Sequence, residues 1–244
     1  MATNPMQQFE VHRIGPSLSF NGVDLSFTNS SLFMLISSIL IIIFFIAGTR
    51  KVNIIPGKIQ LLNELVFNFI SKMINETVGP NARPYFPFIL TIFLFILTLN
   101  MVGLLPYAFT VTSQIIITFF LAIVIFIGVT IVGFAKNGIG FLKIFAPSGV
   151  PIFLFPIIVA IEIISFLSRP VSLSVRLFAN MLAGHTMLKV FGGFVVSLGI
   201  VGGWLPLSFS VALTALEILV AFLQAYVFAV LSCIYLNDAL NMHH

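Results

Sequence analysis

Between Lys143 and Asp238 an almost wholly apolar stretch carries Glu162, Arg169, Arg176, His185, Lys189 and Glu217. A lone charge at the centre of a membrane helix costs about 2.5–3.5 kcal/mol on insertion scales, so an intramembrane ionisable residue is by default a hypothesis about ion or substrate movement. The residue types narrow the chemistry to proton transfer. Partly buried His and Glu take up and release protons near working pH, whereas Arg stays charged and cannot relay one. A fixed guanidinium beside a proton path repels hydronium and attracts a mobile carboxylate, which makes it both a barrier to leakage and a trigger for deprotonating a passing acid.

Spacing groups these residues. Seven residues advance a helix by almost two turns, so Glu162, Arg169 and Arg176 form one stripe at intervals of ~10.5 Å, with Asn180 a turn beyond Arg176 on nearly the same face. His185, nine residues from Arg176, points to the opposite side. Further on, Glu217, Ala221, Gln224 and Ala225 make a narrow stripe in which two small residues let another helix approach closely. Packed antiparallel, the two segments bring His185 and Glu217 together.

The elements that must position these groups are membrane helices. Of the 244 residues 59% are hydrophobic and 7% charged, and the mean hydropathy is +1.17, whereas soluble domains carry about 25% charged residues. The apolar stretches are too long and numerous for a cleaved signal peptide, and 1–15 has no basic region followed by a short apolar core, so the first apolar run reads as a permanent span. The net charge of +4 is scattered near predicted membrane ends rather than gathered in a patch, which argues against nucleic acid. Cys233 is the only cysteine. His12, His243 and His244 lie in the tails and are expected to be solvated, so no metal site and no cofactor is expected.

The predicted order is an outer-side N-terminal tail over 1–30, a transmembrane helix over 31–49, an amphipathic surface helix over 56–78, transmembrane helices over 86–105 and 114–134, and two long helices over 152–188 and 205–240. The surface helix is read from Ile59, Leu62, Val66, Phe69, Ile70 and Met73 on one side, against Gln60, Glu64, Asn68, Ser71, Lys72 and Asn75 on the other. Its stop is Gly79-Pro80. Pro106 marks the turn between the middle spans, and Pro147 separates them from the polar-studded region. Arg50, Lys51, Lys58, Lys72, Arg83, Lys136 and Lys143 all fall on one side, which sets that side inside and the N-terminus outside.

The last two helices do not fit upright. At about 1.5 Å per residue, 152–188 spans ~55 Å and 205–240 ~54 Å, against ~30 Å of hydrocarbon. Each would have to lean by roughly 57°, beyond the usual limit of about 40°. Either both are broken, with Pro170 able to bend the first, or they form a strongly oblique hairpin around 192–204; the hairpin is favoured because it lines its polar residues along one lateral seam. The fold class is therefore all-α membrane protein: five transmembrane or strongly oblique helices plus one amphipathic surface helix, in a single membrane domain.

The run from Ser168-Arg169-Pro170 through Arg176-Leu177-Phe178-Ala179-Asn180 to Ala183-Gly184-His185 resembles the signature of subunit a of F-type ATP synthases, the stator half of a membrane proton channel. So do Asn100-Met101-Val102-Gly103-Leu104-Leu105-Pro106-Tyr107, the stretch from Glu217-Ile218 to Gln224-Ala225-Tyr226, and Tyr235-Leu236-Asn237-Asp238. The resemblance covers the chain from about Phe20 to its end. It implies that Arg176 faces the carboxylates of a rotating c-ring, with Asn180 and Gln224 as polar supports, and that His185 and Glu217 act as a pair in the half-channel from the outer compartment. Glu162 and Arg169 would lie towards the inner-side exit. His185 with Glu217 resembles the mitochondrial and alphaproteobacterial pattern rather than the swapped pair of many other bacteria. The implied partners are the c-ring, peripheral-stalk b subunits, other ATP synthase subunits, the lipid bilayer and protons. The implied location is an inner membrane, with the alphaproteobacterial one favoured over the mitochondrial.

Blander readings compete at some positions. Glu162 and Arg169 suit a structural ion pair, Lys189 is expected to snorkel to an interface, and Asp238 suits a helix cap or anchor. A proton-coupled secondary transporter is the rival function, but inverted repeats and paired discontinuous helices are not evident in the sequence. An intramembrane enzyme would need Ser with His, or a His-Glu-x-x-His motif, and neither constellation is visible. No Gly-rich phosphate loop is present, so the chain is expected not to be catalytic alone.

Overall fold

The structure is a computed structural model that describes residues 7–15, 19–20, 23–24, 26–50, 53–105, 108–145 and 153–240. Lys51, Pro106, Pro147, His243 and His244 lie outside the described residues. Six α-helices dominate: α1 (Asn29–Thr49), α2 (Lys58–Thr77), α3 (Phe86–Gly103), α4 (Ile115–Asn137), α5 (Phe155–Gly202) and α6 (Trp204–Leu240). Among the described residues five segments are long and apolar enough to cross a membrane, and α2 is not one of them. The fold class is thus all-α membrane protein. Among the described residues there is also a pair of two-residue strands, Ser19–Phe20 and Val23–Asp24, joined antiparallel.

Large apolar side chains stay exposed along the helices, Ile42 and Ile43 on α1 and Ile131 on α4 among them. In water such surfaces would be a liability; in lipid they face their own kind. What the helices bury inside the chain is narrower. On α6 the buried residues Glu217, Ala221, Gln224, Ala225, Phe228, Ala229, Ser232, Cys233, Leu236 and Ala239 fall one, three or four positions apart, the pattern of a single helix face.

The chain divides into two compact units. The first is drawn from Met1–Ile46, Leu94–Ile117 and Leu177–Ala225. Its core includes Ile96, Leu99, Val102, Leu177, Met181 and Ala221. Buried Asn100 reaches across from α3, its Nδ2 donating to the carbonyl of Ala221 at 3.2 Å. The second is drawn from Ala47–Phe93, Thr118–Arg176 and Tyr226–His244. Here Ile70, Met73 and Ile74 of α2 are buried along with Phe93, Phe141 and Phe228.

Helix α2 buries part of its predicted apolar side, Ile70 and Met73, and leaves the rest of it outward. Gln60 and Asn63 are buried with Ile70, Met73 and Ile74, while Ile59, Leu62 and Phe69 are exposed. Gln60 is accommodated because its side chain hydrogen-bonds both Asn53 backbone groups and Glu64. Satisfied amides can pack inward and leave apolar neighbours for lipid.

Helix α5 also runs on where the sequence suggests a stop. It passes through Pro170 and through Gly192 and Gly193, and its non-helical residue is Gly199, with φ +63° and ψ −162°. Glycine alone takes that conformation without strain. At Gly203 an added Cβ would come within 2.7 Å of the carbonyl oxygens of both Gly199 and Val195. The corner between α5 and α6 therefore depends on two glycines. With 48 and 37 residues, both helices far exceed the about 20 residues that cross a bilayer core.

Candidate functional site: a buried His–Glu pair

Helix α5 brings His185 and helix α6 brings Glu217 to within 3.5 Å, Nε2 to Oε1. The antiparallel reversal at Gly199 makes this possible, and Gly184 lets the helices close. A Cβ at Gly184 would stand 2.6 Å from Oε1 of Glu217, inside any tolerable contact. The seam is small where the carboxylate needs room.

Both side chains are largely enclosed, at 13% and 4% exposure. The same His185 nitrogen lies 3.1 Å from the hydroxyl of Thr110. That hydroxyl also donates to the carbonyl of Gly103 at 3.4 Å, and its role toward His185 follows the tautomer of the imidazole. Thr110 was not singled out as a site residue by sequence reading, because it sits among turn residues after Pro106; nothing in its spacing distinguishes it from Thr112 or Ser113. Among the described residues neither oxygen of Glu217 has a hydrogen-bond partner. A buried carboxylate so under-satisfied is costly to keep unless it exchanges protons or water.

A cavity of ≈ 720 Å³ opens onto the pair. Its walls include Phe33 of α1, Gly103 and Leu104 at the end of α3, Phe109, Leu188, Lys189 and Thr214, and also Gln8, Glu10 and His12 from the N-terminal segment. Water occupies about 30 Å³ per molecule in the liquid, so the space is large enough to admit many of them. Lys189, expected to be a bystander, lines this cavity.

The other predicted residues separate into three situations. Arg176 is exposed on α5, with no hydrogen bond or ion pair among the described residues, and exposed Asn180 follows one turn later. Ser172, Ala179 and Ala183 flank them, also exposed, so this face of α5 is small-residued around one cation. Gln224 is buried on α6, and its Oε1 has no partner among the described residues. Arg169 does not pair with Glu162. Two residues seven apart share a helix face but stand ~10.5 Å from each other, and Arg169 instead bonds Asp238 of α6, Nη1 to Oδ2, at 3.1 Å. Its guanidinium also lies 5.5 Å from the ring centroid of Phe166 and 5.0 Å from that of Tyr235. Glu162 is half-buried on α5.

A multi-helix membrane protein with a buried, incompletely bonded His–Glu pair lining a cavity large enough for water fits the class that moves protons. The comparisons with known proteins specify it. The family described as ATP synthase A chain matches residues 31–237, and the chain belongs to that family. It is 70% identical over 244 residues, the whole of both chains, to the ATP synthase subunit a of Pelagibacter ubique (strain HTCC1062). It is 52% identical to that of Maricaulis maris (strain MCS10), covering 99% of each chain. With that of Rhizobium rhizogenes (strain K84 / ATCC BAA-868) it shares 53% identity over 99% of this chain and 98% of the relative.

Proposed function

We propose that His185 and Glu217 form the inlet relay of this chain and that Arg176 is the fixed charge past which a mobile carboxylate on a partner must move. The chain is the proton-channel stator subunit of the ATP synthase membrane sector, a multi-pass membrane component of a rotary complex. The residue roles rest chiefly on one observation: the pair at 3.5 Å facing a cavity whose wall includes the N-terminal segment. Because the distribution of Lys and Arg sets that segment outside, the cavity opens to the outer compartment.

A proton enters through cavity water and reaches the Glu217 carboxylate. His185 exchanges it across the 3.5 Å gap, which must shorten to the 2.7–2.9 Å of a charge-assisted hydrogen bond, roughly, for the transfer. The acceptor beyond is a carboxylate of the c-ring, which rotates almost a full turn and releases the proton towards the inside after passing Arg176. The exposed face of α5 around Arg176, Asn180, Ala179 and Ala183 suits that partner, because small residues admit a second helix closely. Gln224, with its unpartnered oxygen, supports the same polar seam. Glu162 belongs to the inner exit; Arg169, engaged by Asp238, anchors rather than conducts.

The length of α5 and α6 favours an oblique course, as lateral contact with a moving ring requires, and α2 suits the inner surface of the membrane. Peripheral-stalk b subunits and the remaining subunits complete the assembly in an inner membrane. The chain makes or breaks no bond of ATP itself. Replacing Arg176 by Ala tests the central role: ATP-driven proton pumping in membranes disappears while the complex still copurifies, and undiminished coupled pumping would refute the reading.

A further inference from the structure

We infer that the N-terminal segment 8–14 is a built part of the proton inlet, with Glu10 and His12 as its outer proton-collecting pair. This rests on the relay reading of His185 and Glu217.

The segment is strapped in place rather than trailing. Gln114, just before α4, donates from Nε2 to the carbonyl of Phe9 at 2.7 Å. Asn29, the first residue of α1, donates from Nδ2 to the carbonyl of Glu10 at 3.2 Å and accepts from the backbone N–H of His12 at 3.2 Å. Its own backbone N–H donates to the carbonyl of His12 at 3.0 Å, and the N–H of Ile14 to the carbonyl of Phe27 at 2.7 Å. One asparagine thus holds backbone groups of both Glu10 and His12.

The clamp fixes where the side chains go. Residues two apart in an extended segment share a side, and Glu10 and His12 approach to 4.0 Å, Oε2 to Nε2, while each stays about two-thirds exposed. Both line the same cavity as Lys189, His185 and Glu217. They therefore stand at the mouth with one flank in bulk water and the other on the route inward. Lys189 gives that cavity a cation, which opposes hydronium. Glu10 supplies the offsetting negative charge at the rim.

The step balances simply. The Glu10 carboxylate takes a proton from hydronium, releasing water, and gives it to a water of the cavity, which regenerates the carboxylate; His12 performs the same exchange through its imidazole, and the final acceptor is the Glu217 carboxylate. Groups of this kind matter most when mobile buffer is scarce, since free protons alone are then too dilute to reach the mouth quickly.

The test uses the intact complex in liposomes, with ATP synthesis driven by an imposed proton gradient and the imidazole concentration varied on the side the segment faces. The clamp uses only backbone atoms of residues 10 and 12, so Glu10→Gln with His12→Asn leaves it intact. The double variant is expected to lose rate several-fold at low imidazole and to regain the parental rate at high imidazole. Equal rates at low imidazole overturn the inference. So does a loss that imidazole does not restore, which would reduce the segment to a structural strap. Glu217→Gln in the same assay separates the two levels: parental synthesis there sinks the relay itself, whereas a block there beside a parental rim variant sinks only the rim.

Discussion

Two charge pairs join α5 to α6, and they are built oppositely. His185 and Glu217 stand 3.5 Å apart, enclosed, with both carboxylate oxygens lacking a hydrogen bond among the described residues and a cavity alongside. Arg169 and Asp238 meet at 3.1 Å, more exposed, with the guanidinium against Phe166 and Tyr235. The first is loose where burial makes looseness costly. The second is tight although only partly enclosed. An ion pair that only holds helices gains from complete bonding, whereas a relay must keep lone pairs and a proton available. On the proposed reading, the first pair conducts and the second anchors.

The largest effect should come from the loose pair. His185→Ala and Glu217→Ala are each expected to lower proton flow through the assembled complex by on the order of 100-fold or more, the scale of removing a positioned acid or base. Exchanging the two, His185→Glu with Glu217→His, should retain more activity than either single change, because the seam then still holds one carboxylate and one imidazole. Equal loss in all three variants, read by passive proton uptake in membranes, would argue that the residues do not act together.

Gly184 sharpens the same side of the contrast. Its hydrogen occupies the space a methyl would need 2.6 Å from Oε1 of Glu217, so Gly184→Ala must push the carboxylate off His185. Proton flow should drop roughly tenfold, in keeping with the sensitivity of transfer to a displacement of about 1 Å. Combining it with Glu217→Asp, one methylene shorter, should restore part of the loss. If Gly184→Ala conducts normally, the closeness of the seam has no part in the transfer. A smaller change is expected at Thr110. Thr110→Val removes the hydroxyl that Nε2 of His185 meets at 3.1 Å, with a few-fold loss; Thr110→Ser should hold the parental rate, which a purely steric role would not explain.

How much of this the sequence disclosed depends on the kind of interaction. Composition and run length gave the membrane class and its long apolar helices, because lipid constrains a helix through bulk hydrophobicity. The His185–Glu217 meeting was legible because helical phase and an antiparallel reversal are both local properties. The partner of Arg169 was not: seven-residue spacing suggested Glu162 on the same face, but a helix face is a line along which such residues are too far apart to touch, and Asp238 comes from another helix. The reversal expected around 192–204 falls inside that span, at Gly199; which glycine turns is not legible, since glycine permits a positive φ without requiring it. His12, expected to be solvated, is about two-thirds exposed, but the hydrogen bonds of Asn29 to the backbone around it are not legible in the sequence.

The tight pair should respond least in proton flow and most in stability. Arg169→Gln and Asp238→Asn each remove one member of a partly exposed pair, worth about 1 kcal/mol at most for exposed ion pairs, with a further ~0.5–1 kcal/mol for the guanidinium against its aromatic neighbours. Arg169→Gln should therefore destabilise the complex in detergent more than Asp238→Asn does, and the double variant should cost less than the sum, because each single change already breaks the shared bond. Proton flow in the three should stay within a factor of about two of the parent, on the scale of a residue that orders a helix without touching the transferred proton. A large loss of flow with stability unchanged would move Arg169 from the anchoring side of the comparison to the conducting side. Looseness would then no longer distinguish the two pairs.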